Sequence, residues 1–192
     1  MNRFLRSVII LFYVASCGSS EYSAPRDLEN ACSIVRERPH YLAAMNASER
    51  RWGIPVHVQM AAIYQESKFI GNARTPHQYA LGVIPMGRQS SAYGYSQALD
   101  NTWDEYRSTT GNRNAKRDDI NDATDFMGWY MSQAVARLSV APQDAENLYL
   151  AYHEGFTGYV RQSYKSKDWL VRIANEVGVR SQNYALQLAA CN

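Results

Sequence analysis

Glu66 is a carboxylate in a position that costs stability. A helix opened by Pro55 carries an apolar stripe of Val56, Met60 and Ile63, and residues 66 and 67 continue that stripe at i+3 or i+4. Glu66 therefore falls on or beside the face that is to be buried. It also stands in the last turn, where the helix dipole is negative. Burial and dipole both favour the protonated form and raise the pKa. A glycosidase needs such a group, because its general acid must keep a proton near neutral pH. Helical arithmetic alone is equally compatible with a helix-end glutamate that turns to solvent or pairs with Lys68 or an arginine.

No second carboxylate is as well placed. Glu154, Asp100 and Asp104 are candidates, and each is more readily explained as solvated, capping or salt-bridged. Asp118-Asp119 reads as a helix N-terminus. The histidines His40, His57, His77 and His153 lack metal-ligand spacing, so neither a metal nor a cofactor is expected. Trp103, Trp129 and Trp169 stand at helical spacing with other apolar residues and are expected in the core.

The three cysteines divide by context. Arg3 and Arg6 form a short basic region, and Val8 to Val14 an apolar run far shorter than the ~20 residues that span a bilayer. Residues 1–16 read as a secretory signal peptide. Val14-Ala15-Ser16-Cys17 resembles the lipobox of bacterial lipoproteins, which implies cleavage before Cys17 and lipidation of its thiol. Gly18-Ser19-Ser20 begins a polar tether, expected over residues 17–27. In an oxidising compartment the remaining pair, Cys32 and Cys191, is expected to be a disulfide. It would close nearly the whole mature chain, worth roughly 4–5 kcal/mol on the chain-entropy model.

The elements that must position Glu66 read as helices, with no sustained two-residue alternation. Pro39 opens one carrying Tyr41, Met45, Ser48 and Trp52, which Gly53 stops; Pro55 opens the next, to about Ser67. Residues 70–93 hold three glycines and two prolines and read as a long surface excursion. Thr102-Trp103-Asp104-Glu105 reads as a capping box, with Gly111 as the stop. Asp119 to Ser139 reads as the longest helix. Another is expected from Pro142 through Tyr152, ended by Gly155, and two more around Trp169–Val177 and Gln182–Ala190.

Composition narrows the function classes. The chain is 46% hydrophobic and 20% charged, which suits one packed domain. Loss of Arg3 and Arg6 with the signal peptide leaves 18 basic and 18 acidic residues. Without a basic stripe, a zinc-finger spacing or a phosphate-binding glycine loop, nucleic acid is excluded as an expected partner.

Three segments together carry a family resemblance. Ala62-Ile63-Tyr64-Gln65-Glu66-Ser67-Lys68-Phe69 resembles the catalytic Glu-Ser segment of the lytic transglycosylases of the lysozyme-like superfamily. Ala92-Tyr93-Gly94-Tyr95-Ser96-Gln97-Ala98 is similar to their Gly-Leu-Met-Gln motif. Leu150-Ala151-Tyr152-His153-Glu154-Gly155 is similar to their Ala-Tyr-Asn-Ala-Gly motif. The resemblance covers about residues 30–160 and implies an all-α fold, a single lysozyme-like (goose-type or SLT-type) helical domain over 28–192.

It also implies an activity. Such a protein cleaves the β-1,4 bond between N-acetylmuramic acid and N-acetylglucosamine in peptidoglycan, leaving 1,6-anhydromuramic ends. Glu66 would be the acid and then the base. Ser67, Gly94, Tyr95, Ser96, Gln97, Tyr152 and His153 would face the glycan strand, with the Tyr152 hydroxyl near the Glu66 carboxyl. Tyr95 and Ser96 depart from Leu-Met, which affects contacts to the N-acetyl group. His153 and Glu154 depart from Asn-Ala. Residues 71–91 look inserted, as a lid or a docking site for a cell-envelope machinery partner. The alternatives are a hydrolytic muramidase, if Glu154 faces Glu66, and a non-catalytic wall-binding lipoprotein. The expected location is the periplasmic side of the outer membrane, held by the lipid at Cys17.

Overall fold

The computed structural model describes residues 22–191. The expected signal peptide, the lipidated Cys17 and the tether as far as residue 21 lie outside the described residues. In chain order the elements are α1 (Ala31–Glu37), α2 (Pro39–Trp52), α3 (Val56–Ser67), β1 (His77–Ala80), β2 (Ile84–Arg88), α4 (Asp100–Thr110), α5 (Ile120–Leu138), α6 (Ala145–Val160), a 3-10 turn (Ser163–Ser166) and α7 (Asp168–Ala190).

The helix that carries Glu66 is the axis of this all-α domain. Val56, Val58, Gln59, Met60, Ala61, Ala62, Ile63 and Ser67 are all buried, so α3 is covered around most of its girth. Its cover comes from α2, α5, α6 and α7. Gln59, polar and fully buried, donates Nε2 to the carbonyls of Ile54 at 2.7 Å and Met45 at 3.3 Å. Those bonds satisfy carbonyls in and beside the α2–α3 turn and pin the helix start. Pro39 occupies the first turn of α2 and Gly53 ends it at φ 73°, as their backbone preferences dictate.

A second, aromatic lobe packs beside that core. Trp103, Tyr106, Phe126 and Trp129 form its buried centre, with Tyr130 and Tyr152 against it. Asp125 ties the lobe to α2, accepting from Tyr106 Oη at 2.7 Å, Trp52 Nε1 at 2.8 Å and Arg51 Nη1 at 2.9 Å. Cys32 and Cys191 are bridged, with their Cα atoms 5.6 Å apart.

Several expected boundaries need correction. The excursion at 70–93 contains a hairpin, with His77 facing Arg88 and Ala80 facing Ile84. Its strands are almost wholly exposed, so no face is hidden to impose an alternating pattern. α4 starts at Asp100, and Thr102 lies inside it, so the capping box does not form. Arg117 at 2.7 Å from the Asp100 carboxylate and Ser91 Oγ at 3.1 Å from its N–H anchor that end instead.

α6 starts at Ala145, capped by the Asp144 side chain, which leaves Pro142 in the preceding turn. Gly155, at φ 71° and ψ 164°, breaks the helical backbone where a stop was expected, and a second helical stretch then runs on to Val160. The longest helix is α7, at 23 residues against 19 in α5, and it runs unbroken where two helices were expected. Gly178 does not stop it: a Cβ there would stand 3.3 Å from the Glu146 Cβ. The glycine lets α7 lie close against α6.

Candidate active site

Glu66 leaves α3 in its last turn, and the backbone just beyond is strained. Lys68 and Phe69 both adopt left-handed conformations, at φ 52° and 61°. Such strain persists only where packing over-determines it. Here Phe69 is fully buried and stacks on Tyr41 at 5.8 Å between ring centroids. The anchored ring turns the chain sharply after Ser67 and leaves Glu66 at the end of the helix, with Tyr149 and Tyr152 of α6 about it.

Burial pushes the Glu66 carboxyl up to about 7, against opposing pulls from a Tyr149 hydrogen bond and the Lys68 charge. Tyr149 in turn is driven upward by its own burial and by the Glu66 charge. Lys68 does not neutralise Glu66 by direct pairing, since its ammonium sits over the Tyr64 ring at 3.5 Å. The site thus holds a carboxyl that exchanges its proton near neutrality, steadied by a phenol.

Tyr152 lies near Glu66, whose charge, after burial, helps to push its hydroxyl well above the ordinary range. That hydroxyl donates to the Ser96 carbonyl at 2.6 Å. The bond ties α6 to the loop that carries Gly94–Gln97. Tyr152 also lines a cavity of about 280 Å³ with Gln97, Leu99, Thr102, Tyr130, His153, Glu154 and Gly155. A larger cavity of about 650 Å³ lies beside the Cys32–Cys191 bridge and includes none of these residues.

The remaining expected residues divide between cavity and scaffold. Gln97 and His153 line the cavity. Gln97 spends its Nε2 protons on the carbonyls of Gly94 at 2.9 Å and Ala73 at 3.0 Å, which leaves Oε1 for other partners. Ser67 is buried and returns its hydroxyl to the Ile63 carbonyl at 3.3 Å. The Tyr95 ring is in the core, its hydroxyl 3.0 Å from that of Tyr41. Ser96 is fully buried and reaches the site through its carbonyl. Gly94, at φ 81°, is required by the Arg117 backbone: a Cβ would stand 2.0 Å from the Arg117 carbonyl oxygen.

Glu154 is not a free second carboxylate. Its side chain is 4% exposed, and Oε1 accepts from Lys167 Nζ at 2.6 Å and lies 3.2 Å from His153 Nδ1. Ser163 Oγ donates to Oε2. The lysine and the serine hold its carboxyl at about 2, fully ionised and fully bonded. Trp169, expected in the core, is 46% exposed and meets His153 edge-on at 5.3 Å. Among the described residues no group of His, Cys, Asp and Glu has the makings of a metal site.

Sequence reasoning missed Tyr149 and Tyr130. Tyr149 lies one turn before Tyr152 on the same face of α6, a spacing that was the available signal. Tyr149→Phe is expected to raise the Glu66 pKa further, because the lost hydrogen bond favoured the charged form. The alkaline limb of the pH–rate profile should move upward, with a rate loss of roughly fivefold at pH 6, about 1 kcal/mol. An unmoved limb would remove Tyr149 from the site.

A family model described as "Transglycosylase SLT domain" matches residues 5–191. A search of curated proteins finds no match to the chain.

Proposed function

The chain belongs to the transglycosylase SLT domain family, the lytic transglycosylases of the lysozyme-like superfamily, and from that membership we propose that it cleaves peptidoglycan at the MurNAc-β-1,4-GlcNAc bond with Glu66 as its acid and base. The observation that carries the reading is the Glu66 carboxyl itself, raised to about 7 beside Tyr149. At neutral pH a large share of molecules hold the proton that a glycosidic oxygen must receive.

In the first step Glu66 donates its proton to the departing GlcNAc oxygen as the C1–O4 bond breaks. The resulting carboxylate then accepts the proton of the muramic C6 hydroxyl while that oxygen closes onto C1. The product is a 1,6-anhydro sugar, Glu66 ends protonated as it began, and no water is consumed. The attacking hydroxyl is already tethered, so proximity replaces the second carboxylate of ordinary glycosidases. The commitment of Glu154 to Lys167 and Ser163 favours this route over a hydrolytic one. Gln97, Tyr152 and His153 supply the polar lining for the strand, beside the ring of Tyr130.

The proposal includes an address. Cleavage before Cys17 and lipidation there would hold the domain on the periplasmic side of the outer membrane, within reach of the wall. Digestion of purified peptidoglycan by the isolated protein, read by mass spectrometry, tests the chemistry. Muropeptides ending in 1,6-anhydromuramic acid are expected. Reducing ends one water heavier would replace the proposal with a muramidase, and an undigested wall would replace it with a binding role.

A further inference from the structure

The hairpin β1–β2 contradicts both its solvent and its local backbone preferences. Tyr79, Leu81, Val83, Ile84 and Met86 are 56%, 91%, 77%, 51% and 65% exposed, all within eight residues. At the tip, Leu81 and Gly82 both have positive φ, at 52° and 76°. A turn of that form is made most easily by Asn-Gly, and leucine is among the residues it disfavours. So the sequence places its most exposed large apolar side chain at a position where a polar one would be less strained. Two strands alone are marginal in water, and among the described residues no other element covers either face. Conflicts of this kind between local preference and structure mark a surface with another purpose.

The charge and the position of the hairpin select the occupant. From Ser67 to Leu99 there is no acidic residue, and Arg74 and Arg88 flank the strands. An apolar tip on a segment that carries two arginines and no acid suits the boundary between phospholipid headgroups and acyl chains. The described chain begins at the same place. The carbonyl of Tyr22 accepts from the Gly71 N–H at 3.2 Å, at the root of the excursion. Cys17 is five residues before Tyr22, a reach of at most about 18 Å. Thr75 to Gly82 spans about 23 Å when extended. A lipid on Cys17 and the hairpin tip can therefore meet one bilayer.

We propose that the hairpin His77–Arg88 inserts its apolar tip into the leaflet that holds the anchor, as a second point of attachment to a phospholipid bilayer. One covalent tether leaves a domain free to tumble, whereas two contacts fix its orientation. Because the hairpin lies between Glu66 and Gly94, its docking sets the attitude of the cleft to the membrane. This rests on the lipidation of Cys17 for its geometry, but not on the cleavage chemistry.

The test is hydrogen exchange of the full chain with and without vesicles of phosphatidylethanolamine and phosphatidylglycerol, followed by mass spectrometry. Amides of 77–88 are expected to exchange at least about fivefold more slowly on vesicles, and the double substitution Leu81→Asp, Val83→Asp should abolish the slowing. Digestion of soluble glycan fragments by that variant should be unchanged. A chain that floats with vesicles yet shows unaltered exchange at 77–88 would overturn the hairpin while sparing the anchor. A chain that does not float would overturn both. Protection that follows protein concentration and not lipid would assign the hairpin to a second copy of the chain.

Discussion

Glu66→Gln is expected to reduce glycan cleavage by about 10³-fold, the usual worth of a positioned general acid, while leaving the fold intact and more stable above pH 5. The reason is the direction of the pKa shift. Unfolded, the carboxyl titrates near 4.5; folded, it titrates at about 7. Between those values the native state holds a proton that the unfolded chain releases, so stability falls as pH rises. Below about 4.5 both states are protonated and the group is neutral to stability. Above about 7 the whole cost is present, at most about 3 kcal/mol. Glutamine removes this dependence and keeps an oxygen to accept from Tyr149. The melting temperatures of the two proteins should therefore meet near pH 4.5 and diverge toward pH 7.5, with the variant higher. A variant that melts lower across this range would make Glu66 a structural acid.

The contrast between Glu66 and Glu154 explains how much of the site could be read from sequence. The position of Glu66 could be read because one helix explains it: Pro55 fixes the start, the apolar stripe fixes the face, and the place of the acid follows. The bonding of Glu154 could not, because Lys167 and Ser163 reach it from beyond the α6 kink at Gly155, and helical periodicity says nothing across a kink. The same limit applies to Gly178, which falls in the expected gap between two helices yet is a close contact between α6 and a continuous α7. Gly53 and Gly111, which have open space around them, were read correctly from their neighbours. The motif at 94–97 was legible as a segment but not residue by residue. Gly94 answers to the Arg117 backbone and Tyr95 to the core, constraints that come from parts of the chain distant in sequence. Seven-residue α1 shows too few turns for a stripe to emerge.

The Cys32–Cys191 bridge closes a loop with a sequence separation of 159, so its removal is expected to cost about 5 kcal/mol on the chain-entropy model. For a domain of this size that corresponds to a fall in melting temperature of roughly 10–20 °C. The cost should fall on the unfolded state rather than on the site, because other bonds already hold the ends together. The Ala31 N–H donates to Gln187 Oε1 at 2.6 Å, Gln187 Nε2 donates to the Glu29 carbonyl at 3.1 Å, and the Tyr184 hydroxyl donates to the Leu28 carbonyl. α7 also packs along α3, so the helix that carries Glu66 keeps its cover when the bridge is opened. The double variant Cys32→Ser, Cys191→Ser should then melt much earlier yet cleave peptidoglycan at an unchanged rate at 25 °C. A rate that dropped while the protein remained folded would mean that the bridge shapes the site through α7. An unchanged melting temperature would mean that the bridge does not restrict the unfolded chain as the entropy model requires. The two measurements separate the strength of the closure from its influence on Glu66.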